Sequence, residues 1–423
     1  MMRRWEELHP VNAVQIAWLK QTIGVDSIYR AADRVLRRLT GHAVQPSAHR
    51  PDRDRRIDFE FQHRPFVGDW RAVLQGAVTT ELNRPYGDGE APWRIFLFES
   101  PVFGQFLGLG YRHVIADARS VSLVLHEIVR LAVCPDGKAA GFEAEYRPES
   151  LRDLFPAEFR WRRIPSMLWN QWQEMWASRR AFRPPCHNPR DLKMEFHIHG
   201  NLSLTDVKAA AKHYDATINE LVFAAILEWL AGRFPPERRG RRPDLAVAAL
   251  ADLTSRSATS LPCAFGQYLS QFAVRLAVGP GTPFEEIVRR AIGCSQAAKQ
   301  TGPLIDAARG FQLIAISLDW LPFLRRPDIL PALIPLLAGV SNVHLGTIVR
   351  DPRTSSAIRS YFRGTCVTNM LPMMLSLTTV GSTCTLTTTH RPAVFSASDM
   401  TSLAAHLHDR LAPAGLAAIR AAA

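Results

Sequence analysis

Lysine is nearly absent from this 423-residue chain: six of its 51 basic residues are lysine and the other 45 are arginine. Cysteine is sparse as well. Cys134, Cys186, Cys263, Cys294, Cys366 and Cys384 are widely scattered, with no Cys-x-x-Cys pair. That spacing argues against a disulfide framework and a zinc ribbon, and fits reduced thiols in a cytoplasm. No apolar core follows Met-Met-Arg-Arg at the N-terminus, so no signal peptide is expected. The greasiest stretch, 329–340, holds two prolines and falls short of the ~20 residues a membrane helix needs. Zinc-finger spacing, an RNP motif and a basic region running into heptads are all missing, which removes the usual nucleic-acid modules. There is no G-x-S-x-G elbow for a serine nucleophile. The expectation is a soluble, cytoplasmic monomer without a transmembrane span.

What is present is ordinary globular texture: 47% hydrophobic residues and 21% charged. The length suits two domains. The breaker-rich run Arg183-Pro-Pro-Cys-His-Asn-Pro-Arg-Asp191 places their boundary, giving domains 1–185 and 190–423. The net charge of +12 has two readings: a compositional bias toward arginine and alanine, or attraction to an anionic partner. Coenzyme A phosphates, an acidic carrier protein or anionic lipid would fit the second.

Along the chain, residues 11–40 read as a helix and Arg50–Arg56 as a solvated loop. Arg94–Phe98 and Phe106–His113 flank a turn near Ser100-Pro101, as in an antiparallel hairpin. From Val121 the period changes to the 3,4 spacing of an amphipathic helix. His113 therefore sits where a strand ends and a helix is about to begin, a place where rigid elements fix a side chain. Asp117 follows four residues later, and Ser120 is a candidate helix cap. Imidazole accepts a proton near neutral pH, and the aspartate can hold the loop without touching the proton. By itself H-x-x-x-D is more often structural than catalytic. The second half reads as strands near 193–199, 245–253, 267–276 and 366–390, with helices near 205–214, 218–234 and 398–411.

Residues 112–120, Arg-His-Val-Ile-Ala-Asp-Ala-Arg-Ser, resemble the HHxxxDGxS motif of the condensation-domain and chloramphenicol-acetyltransferase-like acyltransferases. Wax ester synthases, plant BAHD enzymes and polyketide-associated acyltransferases belong to that superfamily. Further stretches are similar in the family's order: Glu81–Tyr86 with Trp93–Ile95, Thr217–Ala225, Phe265–Ser270 and Ser341–Val343. They cover most of the chain beyond residue 57. The resemblance implies an α/β fold of the α+β type, with two chloramphenicol-acetyltransferase-like lobes forming a pseudo-dimer around a central tunnel. It implies His113 as catalytic base, with Asp117, Ser120 and Arg256 as structural residues, Arg256 pairing with Asp117. Tyr268, Ser270, Ser341 and Asn342 are implied as substrate-binding. No permanently bound cofactor or metal is implied. The donor would be acyl-CoA or a phosphopantetheine-linked acyl group on a carrier protein, and the acceptor a small hydroxyl or amine compound in natural-product biosynthesis. Arg112 replaces the first histidine, Ala118 replaces the glycine, and the plant DFGWG motif is missing. The eroded motif keeps a second reading open, a weak or inactive condensation-like protein that docks a carrier or partner enzyme.

Three features stand outside the motif. Trp169, Trp172 and Trp176 fall at helical spacing in an arginine-flanked segment. The expected role is an aromatic face packed on the protein, with peripheral membrane contact or an acyl-chain wall as alternatives. His197 and His199 read as ordinary strand histidines without a third ligand. His126 reads as lying on a helix surface, with a second polar group near the site as the alternative.

Overall fold

Eleven strands, β1 (Asn12–Leu19), β2 (Glu60–Pro65), β3 (Trp93–Ser100), β4 (Gly104–Arg112), β5 (Glu195–Ser203), β6 (Leu245–Asp252), β7 (Leu269–Leu276), β8 (Ala338–His344), β9 (Ile358–Thr365), β10 (Met373–Val380) and β11 (Thr383–His390), build two mixed sheets in the computed structural model. The structure describes residues 10–43, 59–87, 90–134, 151–186, 190–256, 265–321, 329–348 and 357–413. Arg50–Arg56 and Cys263 lie outside them. The five-stranded sheet has the order β2-β3-β4-β1-β9, the six-stranded one β5-β11-β10-β8-β6-β7.

The hairpin read from the sequence is β3–β4, antiparallel from Trp93 opposite Tyr111 to Ser100 opposite Gly104. Gly108 allows it to carry Phe96, whose ring would lie within 2 Å of any β-carbon there. Residues 11–40 are not one helix. They form β1, a central strand, and then α1 (Val25–Ala43). All of β1 except Trp18 is buried. A strand covered on both faces shows no alternation, so its apolar run also suits a helix.

The two lobes follow the chain only in part. β9 comes from beyond residue 190, yet it completes the first sheet by pairing antiparallel with β1. The 185/190 division therefore separates the chain into halves but does not separate the sheets.

On the first sheet, α1 and α3 (Ala118–Val133) bury Val35, Leu39, Val121, Val124 and Ile128 against Ile95, Leu97, Leu107 and Leu109. On the second, α5 (Leu204–His213), α6 (Ile218–Arg233), α7 (Phe284–Ala298) and α9 (Ala397–Leu411) enclose the larger core. Thr217 and Glu220 start α6 with a reciprocal capping box. Between the sheets lie Ile16, Phe96, Phe106, Phe196, Phe362 and Met374, with Leu74 and Val78 of α2 (Trp70–Asn83).

Helix α4 (Ile164–Ser178) departs from expectation. Its tryptophans do not pack on the protein. Trp169, Trp172 and Trp176 are 57%, 48% and 55% exposed, stacked on one another in solvent. What packs against α8 (Thr301–Trp320) is polar: Asn170 Nδ2 donates to Asp306 Oδ2, and Gln171 Nε2 to Asp306 O. Among the described residues no helix is long and apolar enough to cross a membrane. The described cysteines are free thiols.

Candidate active site

The strand-to-helix junction after β4 is built by backbone bonds before any side chain takes part. His113 N donates to Val11 O at 2.8 Å, which ties the residue to the segment leading into β1. β4 ends at Arg112, and the rings of Tyr111 and His113 stand on one side of the chain, 5.8 Å apart and edge-on. Arg112 therefore belongs to the opposite face, as strand alternation requires.

His113 Nδ1 lies 2.9 Å from Ala116 O. A carbonyl only accepts, so this shorter contact puts the proton on Nδ1 and the neutral ring's lone pair on Nε2, with the Gln267 amide nitrogen standing 3.2 Å from Nδ1. Gln267 reaches across from the second lobe and donates its Nε2 to His113 O. Burial holds the imidazole pKa below its usual 6.5, opposed by the Ala116 carbonyl and the Asp117 charge. At neutral pH the ring is an uncharged base in a fixed tautomer.

Asp117, 1% exposed, does not face the ring. It is the N-cap of α3, with Oδ1 accepting from Ser120 N at 2.8 Å. Oδ2 accepts from Tyr268 N at 3.0 Å, and Asp117 N donates to Gly266 O at 2.9 Å. Burial raises this carboxyl's pKa while the two N–H donors pull it back. Ser120, expected to be the cap, instead exchanges hydrogen bonds with the Gly266 backbone. Its Oγ lies 3.1 Å from Gly266 O and accepts from Gly266 N at 3.2 Å, and the hydroxyl is also within hydrogen-bonding reach of the Asp117 carboxylate. Asp117 and Ser120 thus clamp the Gly266–Tyr268 segment ahead of β7 onto the loop that carries His113.

The Asp117–Arg256 pair does not form. Arg256 Nη1 donates to Lys299 O at 2.6 Å on the exposed side, and the Asp117 oxygens are taken by N–H groups. Close by, Arg119 on the motif helix pairs with Asp252 at the end of β6, at 3.5 Å.

The four residues implied for substrate lie in or around this seam, but their polar atoms have other partners. Tyr268 lends its backbone to the clamp while its side chain packs with Leu253, Leu304 and Ile305. Ser270 Oγ donates to Leu304 O at 2.5 Å. Ser341 accepts from Arg363 at both its hydroxyl and its carbonyl. Asn342 is exposed and bonds Asn219 Oδ1 at 2.9 Å.

Several contributors carried no signal in the sequence. Arg363 on β9, 4% exposed, reaches from the first sheet into the second, bonding Thr378 Oγ1, Ser341 Oγ, Ser341 O and Leu377 O. Burial lowers its pKa to about 10, so it stays charged at neutral pH. Beneath the motif helix, Gln15 gathers Ser122, Tyr361 and Ala118 O into a buried network. His126 is buried there too, not on the surface. Its Nδ1 bonds Ser122 O at 2.8 Å and its ring stacks on Tyr361.

The chain is similar to the first condensation domain of the CDA synthetase, with 15% identity, TM-score 0.64, and 97% of this chain and 94% of that one covered. The chain has the condensation-domain fold. The epimerization domain from the third module of tyrocidine synthetase B matches with 11% identity and TM-score 0.60, over all of this chain and 95% of that one. The X-domain from teicoplanin biosynthesis matches with 16% identity and TM-score 0.56, over 97% and 92%. No family model matches the chain, and no curated protein matches it. The condensation-like architecture expected from the residues around His113 is thus the observed one.

Proposed function

We propose that the protein is an acyltransferase that moves an acyl group from a thioester to a hydroxyl or amine acceptor, with His113 as general base. The observation that carries this is the fixed tautomer. Nδ1–H is held by Ala116 O, so Nε2 of a neutral imidazole is the basic atom at a junction of both lobes. The acceptor's proton passes to Nε2 as its oxygen or nitrogen bonds the thioester carbonyl carbon. The tetrahedral adduct collapses, the carbon–sulfur bond breaks, and the departing thiolate takes the proton from the imidazolium. No covalent acyl-enzyme is involved.

Asp117 and Ser120 are positioning residues: they hold the loop and the facing segment in register. The donor is acyl-CoA or an acyl group on the phosphopantetheine of a carrier protein. A net charge of +12 favours either, since one carries phosphates and the other is acidic. A tunnel between the lobes would let donor and acceptor approach from opposite faces, and natural-product biosynthesis in the cytoplasm is the setting that suits this chemistry.

A second reading has its own support. Arg112 and Ala118 stand where the motif has histidine and glycine, and a similar X-domain forms a complex with OxyB. On that reading the chain docks a partner and turns nothing over. Thiol release from a panel of acyl-CoA and acyl-carrier donors, each with amine and alcohol acceptors, separates the two. Turnover above the no-enzyme rate supports the acyltransferase, and its absence across the panel with stable carrier binding supports docking.

A further inference from the structure

At the edge of the second sheet opposite β7, two strands bring three ligating groups together. β5 and β11 pair antiparallel, with Glu195 opposite His390 and His197 opposite Thr388. Residues two apart share a strand face and directly opposite residues stand side by side, so Glu195, His197 and His390 project together. One ligand atom from each lies within 4.8 Å of the others. Glu195 Oε2 is 3.8 Å from His197 Nε2 and 3.7 Å from His390 Nε2. Donors ~2.1 Å from a tetrahedral ion stand about 3.4 Å apart, close to the two Glu195–histidine separations, while the two imidazole nitrogens, within 4.8 Å of each other, would draw in on binding.

His390 is wholly buried, and neither of its ring nitrogens has a hydrogen-bond partner. His197 Nε2 is also buried and unpartnered. Native interiors pair their buried polar atoms, and a cluster of exceptions calls for a cause. Glu195 Oε2 reaches the two rings only at ion-pair distance, longer than an ordinary hydrogen bond. His199 lies parallel to His197 at 6.2 Å and is bonded to Thr388 Oγ1, forming a wall beside the cluster. Glu195, 45% exposed, opens the cluster to solvent.

We propose that Glu195, His197 and His390 bind one divalent transition-metal ion, zinc foremost, with solvent completing the coordination. Two imidazoles and a carboxylate suit zinc and its neighbours and do not suit calcium or magnesium. The test uses the full chain stripped with a chelator. Zinc titrated by calorimetry and cobalt(II) followed by its visible absorption should each show one equivalent per chain. Glu195→Gln and His197→Gln, confirmed as folded by circular dichroism, should each weaken binding at least tenfold. Glu195 is the exposed member, so its variant keeps the test decisive if a histidine variant misfolds. Failure of the wild type to bind one ion per chain, or undiminished binding in the folded variants, overturns the proposal. Thioester turnover is not the readout, so the His113 reading stands or falls separately.

The orientation of α4 carries a second inference. Ile164, Leu168, Trp169, Trp172, Met175 and Trp176 fall on one side of the helix and are all 43–57% exposed, while Asn170 and Gln171 face α8. On α8, Leu313, Ile316 and Trp320 are exposed as well, Trp320 at 80%. Tryptophan rings of roughly 150–250 Å² each make this patch as large as the ~300–600 Å² typical of a functional surface. Exposed arginines bracket it: Arg160 and Arg162 at one end, Arg179 and Arg183 at the other, with Arg180 there paired to Asp244. Tryptophan beside arginine is the composition of a lipid interface. The charge argues against a second copy, since a two-fold contact would face arginines with arginines.

We infer that this face binds the surface of an anionic bilayer. The full chain should float with vesicles of 30% phosphatidylglycerol in phosphatidylcholine and much less with phosphatidylcholine alone, and high salt should release it. Trp169→Glu with Trp176→Glu, both exposed positions, should abolish flotation and leave the melting temperature unchanged. No flotation with anionic vesicles, or flotation unchanged in the double variant, overturns the inference. So does self-association of the wild type that the double variant loses without any vesicle binding.

Discussion

In His113 the two ring nitrogens are not equivalent. Nδ1–H is spent on Ala116 O, which leaves Nε2 to take a proton. Burial works in the same direction, because it disfavours the imidazolium. The lowered pKa has a kinetic sign. The base is active when deprotonated, so the rate falls as pH drops through the His113 pKa. The acid limb of kcat/KM should have its midpoint below 6.5 and a plateau through neutrality. A pH–rate profile checks this, and a midpoint above 7 would contradict it. The placement of His113 at a strand-to-helix junction was legible in the sequence because a strand texture ends and a helical period begins around it. Its tautomer was not, because Ala116 supplies only a carbonyl, which every residue has. Arg256 misled for a related reason. Sequence order brings it near β6, but the space an arginine would fill beside Asp117 is occupied by backbone donors from Ser120 and Tyr268.

At the scale of elements, one carboxylate starts α3 and fastens it to the segment before β7. Removing the side chain in Asp117→Ala deletes a helix cap, worth about 1 kcal/mol. It also strands the Tyr268 N–H, at a further 1–3 kcal/mol or so. Denaturant unfolding should show a loss of roughly 2–4 kcal/mol together with reduced turnover. Lost turnover at unchanged stability would instead place Asp117 in the chemistry. Helix α3 was readable because its apolar side chains recur at the 3,4 spacing, although every residue from Ser120 to Ala132 is buried. β1 was not, because both of its faces are buried and its pattern fits either period. Helix α4 shows the complementary limit. Its periodicity identifies two faces, but periodicity does not say which of them meets solvent.

For the whole molecule, β9 and Arg363 join what the chain order suggests are separate halves. β9 hydrogen-bonds to β1, and its arginine makes four hydrogen bonds to β8 and β10. Arg363→Met keeps the length and apolar stem but leaves Ser341 O and Leu377 O without that donor. Chemical denaturation should show a loss of at least about 2 kcal/mol, and an unchanged midpoint would mean that the Arg363 side chain does not help to hold the two sheets together. A strand that leaves its own half to finish another sheet depends on contacts more than 300 residues apart, which no local pattern encodes. The ordered matches to condensation-type sequences made the two-lobe architecture legible. The crossing strand and its buried arginine became visible only in three dimensions.

The central claim is that Nε2 of His113 removes the acceptor's proton, and thiol release by wild type and His113→Ala, assayed with the same donor and acceptor, tests it most directly. The variant should keep the wild-type melting temperature and lose about 100- to 10,000-fold in rate. A folded His113→Ala protein that turns over at the wild-type rate would contradict the account.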